Sequence, residues 1–384
     1  MRFEFATSTR ILFGPGEVSV VAPAAKQMGR QALLVLGRSP ESAAFLIEAL
    51  KLERIGCISW PIQAEPSVSL VRQGLELARQ ERCDLVIAFG GGSAIDAGKA
   101  IAALLTNGGE LSDYLEVIGK GQPLQNPSVP FIAIPTTAGT GSEVTRNAVL
   151  ASPEHRVKVS LRSPLMLPRL AVVDPELTLD LPPALTASTG LDALTQLIEP
   201  YVSSRANPLT DGFCLEGLRR VSRSLRHAYH NGHDFPAREF MSLASLLGGL
   251  ALANAGLGVV HGFAAPLGGM FDAPHGALCA ALLPHGMDIN IRACRARAPE
   301  GEALRRYETV ARLLTGKPDA LAEEGVGWVR QLCQELQVPP LRSYGIQEQD
   351  VATLVEKASK ASSTKGNPIT LTADELRAVL TRAL

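Results

Sequence analysis

The sequence lacks several of the features that particular function classes need. There is no excess of either charge: 37 Lys and Arg stand against 38 Asp and Glu, a net charge of −1. That balance argues against electrostatic binding to nucleic acid or to an anionic membrane surface. The six cysteines, at 57, 83, 214, 279, 294 and 333, never form a C-x-x-C pair. This excludes zinc-knuckle and dithiol motifs and fits reduced thiols in a cytoplasmic protein. The N-terminal MRFEFATSTR has no apolar core of the kind a signal peptide carries. One long stretch, Phe240 to Phe271, is free of charge, but it contains Asn254, His261, Pro266 and seven glycines and has no one-sided Lys/Arg flank. It reads as a buried helix of a helical domain rather than a membrane span.

What is present is apolar mass. Hydrophobic residues make up 46% of the 384-residue chain and charged residues 20%, which excludes a disordered chain and suits two or three domains. The 35 glycines and 26 prolines show no Gly-X-Y period and indicate many turns. The first half alternates short apolar runs with helical patterns. Strands are expected at Arg10–Phe13, Ala32–Leu36, Cys57–Trp60, Leu85–Phe89, Phe131–Pro135 and Ala171–Val173. Helices are expected from Ser39-Pro40 to about Lys51, over Val68–Glu81 and over Ala94–Leu105. Such alternation predicts a mostly parallel sheet with helices on both faces. After about Leu179 helical periodicity dominates, and Asp180-Leu181-Pro182-Pro183 reads as a hinge. The expected organisation is an α/β domain over residues 1–180 and an α-helical domain over 181–384, with a cleft between them for a small molecule.

Two loops point to a nucleotide. Leu85–Phe89 runs into Gly90-Gly91-Gly92-Ser93, where Ser93 is a candidate N-cap with Asp96 three residues on. A glycine turn opening a helix suits a pyrophosphate, although this one matches neither G-x-G-x-x-G nor a P-loop. The second loop, Thr136 to Glu143, carries four hydroxyls and two glycines in eight residues after another strand. Two such loops at strand ends obey the rule for ligands in open α/β sheets. Metal-ligand types occur further on. Asp192 and Gln196 stand at i and i+4 on one helical face, His261 ends the charge-free segment, and His275 lies in a turn between Pro274 and Gly276. A carboxylate with two imidazoles suits Fe(II) or Zn(II), and Gln196 offers a weak fourth oxygen. Each also has an ordinary structural reading, and spacing alone does not join them. His227, His230 and His233 form a competing cluster that reads rather as a solvated helix C-terminus, and His285 reads as structural or as lining a cleft.

Taken in order, GGGSAIDAGKA, IPTTAGTGSEVT, VVDPELT, GLDALTQLIEPYVS and VHGFAAPLGGMFDAPHG resemble the iron-containing (group III) alcohol dehydrogenase family over nearly the whole chain, to Asn367-Pro368. The resemblance implies a Rossmann-like N-terminal domain with a parallel sheet and an all-α C-terminal domain, a dehydroquinate synthase-like architecture. It implies NAD(P)-dependent interconversion of an alcohol and an aldehyde or ketone by direct hydride transfer, with a divalent metal, Fe(II) or Zn(II), polarising the substrate oxygen in the interdomain cleft. It places cofactor contacts on Gly91, Gly92, Ser93, Asp96, Thr136, Thr137, Thr140, Ser142 and Lys158, and metal ligands on Asp192, Gln196, His261 and His275. It also implies a homodimer and no nucleic-acid or membrane partner.

Three departures stand out. The family's second ligand is histidine, here Gln196; a further histidine near the nicotinamide is here Ala265, so no proton-relay residue is assigned; and the segment Leu36-Gly37-Arg38-Ser39 lacks the family's ribose-binding Asp. With Gly37, Arg38 and Ser39 at the adenosine end and no carboxylate to repel a 2′-phosphate, NADP(H) is expected over NAD(H). Two alternatives stay open at this point: a metal-dependent lyase of the dehydroquinate-synthase type, and a nucleotide-binding protein with a decayed metal site.

Overall fold

A computed structural model describes residues 2–384. The chain divides into two compact units: one comprises residues 6–137 and 141–178, the other the N-terminal residues up to Phe5, then 138–140 and 179–384. Three residues of the Thr-rich loop thus group with the helical unit, where a single division at residue 180 was expected.

The first unit is built on strands β1 (Ile11–Phe13), β2 (Gln31–Leu36), β3 (Gly56–Pro61), β4 (Leu85–Gly90), β5 (Phe131–Pro135), β6 (Asn147–Ser152), β7 (Val157–Arg162) and β8 (Leu170–Val173). Six of them form an all-parallel sheet in the order β1-β8-β5-β4-β2-β3, and β6 and β7 form a separate antiparallel pair. Its helices are α1 (Val21–Lys26), α2 (Ala44–Leu52), α3 (Val68–Gln80), α4 (Gly92–Thr106) and α5 (Leu111–Tyr114). Side chains alternate across a strand. Leu33, Val35, Val86, Ala88 and Phe131 therefore pack with α3 and α4 on one face, while Ala32, Leu34, Ile87, Phe89 and Ile132 pack with α1 and α2 on the other. Burial on both faces is why these strands read as unbroken apolar runs. The helix expected from Ser39 begins instead as a 3-10 turn over Pro40–Ala43, and Ser39 makes no side-chain cap bond.

The second unit contains α6 (Pro183–Val202), α7 (Pro208–His230), α8 (Phe235–Ala255), α9 (Val259–Met270), α10 (His275–Arg297), α11 (Glu302–Thr315), α12 (Ala322–Glu335), α13 (Val351–Lys360) and α14 (Ala373–Ala383) around one apolar core. The charge-free segment is two helices, not one. Gly256, at φ +73, caps α8, and α9 leaves at a 97° bend. No single described helix is long and apolar enough to cross a membrane. The bend puts His261 in the first turn of α9 rather than at a helix end, and His275 opens α10 as its first residue rather than lying in a turn.

Candidate metal centre and cofactor loops

Three helices of the second unit bring Asp192 (α6), His261 (α9) and His275 (α10) together. Gly276 allows it: a Cβ there would stand 2.4 Å from the Ser188 carbonyl oxygen, so only glycine lets α10 begin against α6 one turn before Asp192. His261 Nε2 lies 3.4 Å and His275 Nε2 3.7 Å from Asp192 Oδ1. Cys279, one turn along α10 from His275, puts its Sγ 3.8 Å from His261 Nε2 and 3.7 Å from His275 Nε2. One donor atom from each of these four residues lies within 4.8 Å of the other three, and no other such group of metal-ligating side chains occurs among the described residues. The competing histidines 227, 230 and 233 are not so joined; the first two close the last turn of α7.

Asp192 is 1% exposed, yet its Oδ1 has no hydrogen-bond partner among the described residues. Leaving a buried carboxylate oxygen unpaired is expensive, and a cation at the convergence of these donors would satisfy it. Burial works to raise the Asp192 carboxyl, but His275 and His261 outweigh it and hold its pKa below the usual carboxylate value. Burial likewise disfavours the His261 cation, and Cys279, Asp192 and Glu199 overcome it, so that its pKa stands well above the ordinary. The Cys279 thiol is pushed up to about 12 by burial; a bound ion reverses that, since a coordinating thiol gives up its proton.

Glu199, which sequence reasoning missed, completes the arrangement. It is buried on α6 one turn beyond Gln196, and its Oε2 accepts from His261 Nδ1 at 2.7 Å while its Oε1 accepts from Val260 N at 2.7 Å. In the neutral ring, Nδ1 donating to Glu199 leaves Nε2 as the lone-pair nitrogen toward Asp192 and Cys279, the tautomer a metal requires once it displaces the second proton. Gln196 points its amide nitrogen at Asp192, Nε2 donating to Oδ2 at 2.9 Å, and its Oε1 has no partner among the described residues. Reversing the amide would set oxygen against carboxylate oxygen, so chemistry fixes its orientation.

In the first unit, β2, β4 and β5 are consecutive in the sheet, so their C-terminal loops lie together. From β2 the chain adds β3 toward one edge and then returns through β4 and β5 toward the other, making the β2/β4 boundary the switch point where open α/β sheets bind ligands. Gly37 N donates to Phe89 O at 2.9 Å, and Thr136 N to Gly90 O at 3.0 Å. A Cβ on Gly91 would come within 3.3 Å of Thr137. Helix α4 starts at Gly92 with Gly91 as its N-cap and no side-chain cap bond. Ser93 is therefore not the N-cap expected, and Asp96 does not close a capping box. Instead Asp96 accepts from Ser142 Oγ and, at 2.9 Å, from Val149 N, and it pairs with Lys99 at 3.1 Å. Lys99, fully buried, also donates to Ser142 Oγ at 2.7 Å and Thr145 Oγ1 at 2.8 Å. Asp96 and Ser142 thus fasten the second loop to α4. Lys158, on β7, sits on the Glu65 carboxylate at 2.6 Å, and Arg38 and Ser39 are exposed beyond β2.

Comparison with known proteins agrees across both units. Residues 8–175 match the iron-containing alcohol dehydrogenase family and residues 186–384 its C-terminal region. The chain is 41% identical over 324 residues to alcohol dehydrogenase 4 of Schizosaccharomyces pombe, covering 84% of this chain and 74% of that protein. It is 36% identical over 394 residues to 1,3-propanediol dehydrogenase of Klebsiella pneumoniae, covering 99% and 98%. A crystal structure of 1,3-propanediol oxidoreductase superposes with a TM-score of 0.92 at 35% identity, covering 100% of both chains. The family interconverts alcohols and aldehydes with a nicotinamide cofactor and a divalent metal, and the chain belongs to it: this is an iron-containing alcohol dehydrogenase family member.

Proposed function

We propose that this chain holds a divalent ion through Asp192, His261 and His275 and uses it, with NADP(H), to interconvert a small alcohol and its carbonyl compound. The buried Asp192 Oδ1, without a hydrogen-bond partner among the described residues and beside two imidazole nitrogens, carries the reading. A bound ion supplies Lewis acidity toward an alcohol or carbonyl oxygen. Glu199 fixes the His261 tautomer, and Gln196 steers Asp192 so that Oδ1 is the oxygen turned to the ion. For the cofactor, the uncapped N-terminus of α4 at Gly91, Gly92 and Ser93 suits a pyrophosphate. Gly37 and Ser39 border the same strand ends, and Thr136 and Thr137 offer hydroxyls there; Thr140 is a further cofactor contact in this reading. Asp96 and Ser142 hold the second loop in place, and Lys158 reaches a cofactor by leaving Glu65. Arg38, exposed with no acidic neighbour in Leu36–Ser39, favours a 2′-phosphate. A cytoplasmic homodimer completes the reading.

Elemental analysis of the purified protein, combined with NADPH and NADH oxidation against a panel of aldehydes and ketones, tests it. Bound divalent metal and chelator-sensitive reduction are expected. Turnover that survives both chelation and His261→Ala defeats the metal assignment. Arg38→Ala should raise the KM for NADPH by about tenfold, the worth of one charge-assisted hydrogen bond, and leave NADH unchanged. A preference for NADH in the unmodified protein defeats the NADP(H) assignment.

A further inference from the structure

We infer that Cys279, not Gln196, supplies the fourth donor of the metal site, making it an Asp–His–His–Cys centre with a preference for Zn(II) over Fe(II). The inference rests on the reading that Asp192, His261 and His275 bind a metal. Its geometric basis is the spacing of the donors. Around a tetrahedral zinc, bond lengths of about 2.0 Å to N and O and about 2.3 Å to S require N···O edges of about 3.4 Å and N···S edges of about 3.6 Å. The observed N···O edges are 3.4 and 3.7 Å and the N···S edges 3.8 and 3.7 Å. These four edges are equal to or slightly longer than a zinc ion needs, and all four donor atoms, from three helices, lie within 4.8 Å of one another.

Two further observations support Cys279. The thiol has a single hydrogen, yet its sulfur stands at nearly equal distance from two imidazole nitrogens, as a shared donor around a central ion would. Gln196 commits its amide nitrogen to Asp192 Oδ2, so it could ligate an ion only through Oε1, a neutral amide oxygen and a weaker donor to Zn(II) than a thiolate. On metal binding the Cys279 S–H bond breaks, the S–metal bond forms, and the proton leaves to solvent. A thiolate is a soft donor, and it shifts preference from Fe(II) toward Zn(II) and Co(II). Held by four protein donors, a zinc ion would still supply Lewis acidity to a substrate oxygen, since zinc tolerates five ligands.

Cobalt substitution reads the sulfur directly. The full-length protein is stripped of metal, loaded with Co(II) alone, and its near-ultraviolet spectrum recorded. A thiolate-to-cobalt charge-transfer band is expected in the unmodified protein and in a Cys57→Ser control, and it should vanish in Cys279→Ser and Cys279→Ala. Zn(II) affinity should fall at least tenfold in both position-279 variants, with circular dichroism reporting whether each has folded. In Gln196→Ala the band should persist. A cobalt-loaded protein with no such band, or a band that survives in Cys279→Ser, overturns the assignment while leaving the three-residue site standing. No cobalt uptake, together with NADPH-dependent turnover indifferent to chelation, instead removes the underlying metal reading and this inference with it.

Discussion

Glu199 has two acceptor oxygens and both are occupied, one by Val260 N–H and one by His261 Nδ1–H. A glutamine in its place keeps one acceptor and turns an NH2 toward the other donor. Either the α9 backbone or the imidazole then loses its partner, and an imidazole without its Nδ1 acceptor is free to carry its proton on Nε2. Glu199→Gln should therefore weaken Zn(II) binding by about 10–100-fold, as loss of such outer partners commonly does. Equilibrium competition with a metal chelator measures it, and an unchanged dissociation constant would show that Glu199 does not set the tautomer. This residue was legible in principle. Asp192, Gln196 and Glu199 follow at i, i+4 and i+7 on α6, one helix face, and Cys279 follows His275 at i+4. What the sequence withholds is the juxtaposition: Glu199 and His261 are 62 positions apart, and only the folded helices bring them together.

At the scale of elements the site depends on how α10 starts. Gly276 presses against the Ser188 carbonyl, and a backbone oxygen 2.4 Å from an added Cβ cannot be relieved by a rotamer change. Gly276→Ala should push the N-terminus of α10 away from α6, destabilise the protein by about 1–3 kcal/mol, and separate His275 and Cys279 from Asp192. Denaturant unfolding and a cobalt titration check this together. Full stability with full metal affinity would mean the contact is not holding the helices in register. The strands were the most readable elements because burial on both faces writes them as continuous apolar runs. The hairpin of β6 and β7 fell outside the expected set. Its residues alternate half-buried and buried, and each strand mixes Asn, Ser, Lys or Arg with its apolar positions, so neither stands out beside runs such as LVIAF. The break between α8 and α9 was obscured for the opposite reason, since its Gly256-Leu257-Gly258 carries no charge and interrupts no apolar pattern.

For the molecule as a whole, the two-part organisation follows from a change of period along the chain, from short strands to long helices, and the strand order puts both glycine- and threonine-rich loops at one end of the sheet. That end carries an unusual electrostatic load. Glu143 is 2% exposed, and burial pushes its pKa up to about 7, against smaller downward effects of a backbone hydrogen bond and Lys99. The folded state therefore binds a proton more tightly than the unfolded chain, in which this carboxyl titrates near 4.5. Stability from the protonated group is complete below pH 4.5 and declines as pH rises through about 7, the reverse of an ion-paired carboxylate. The difference of about 2.5 pH units amounts to about 3 kcal/mol. Glu143→Gln, which keeps the shape and removes the titration, should be more stable than the unmodified protein at pH 8 by up to that amount, with the advantage shrinking to nothing near pH 4.5. Urea unfolding of both proteins across this range gives the difference directly. If the gap between them stays constant with pH, Glu143 is ionised in the folded protein, and Lys99 compensates its charge more fully than the buried knot of Lys99, Asp96 and Ser142 implies.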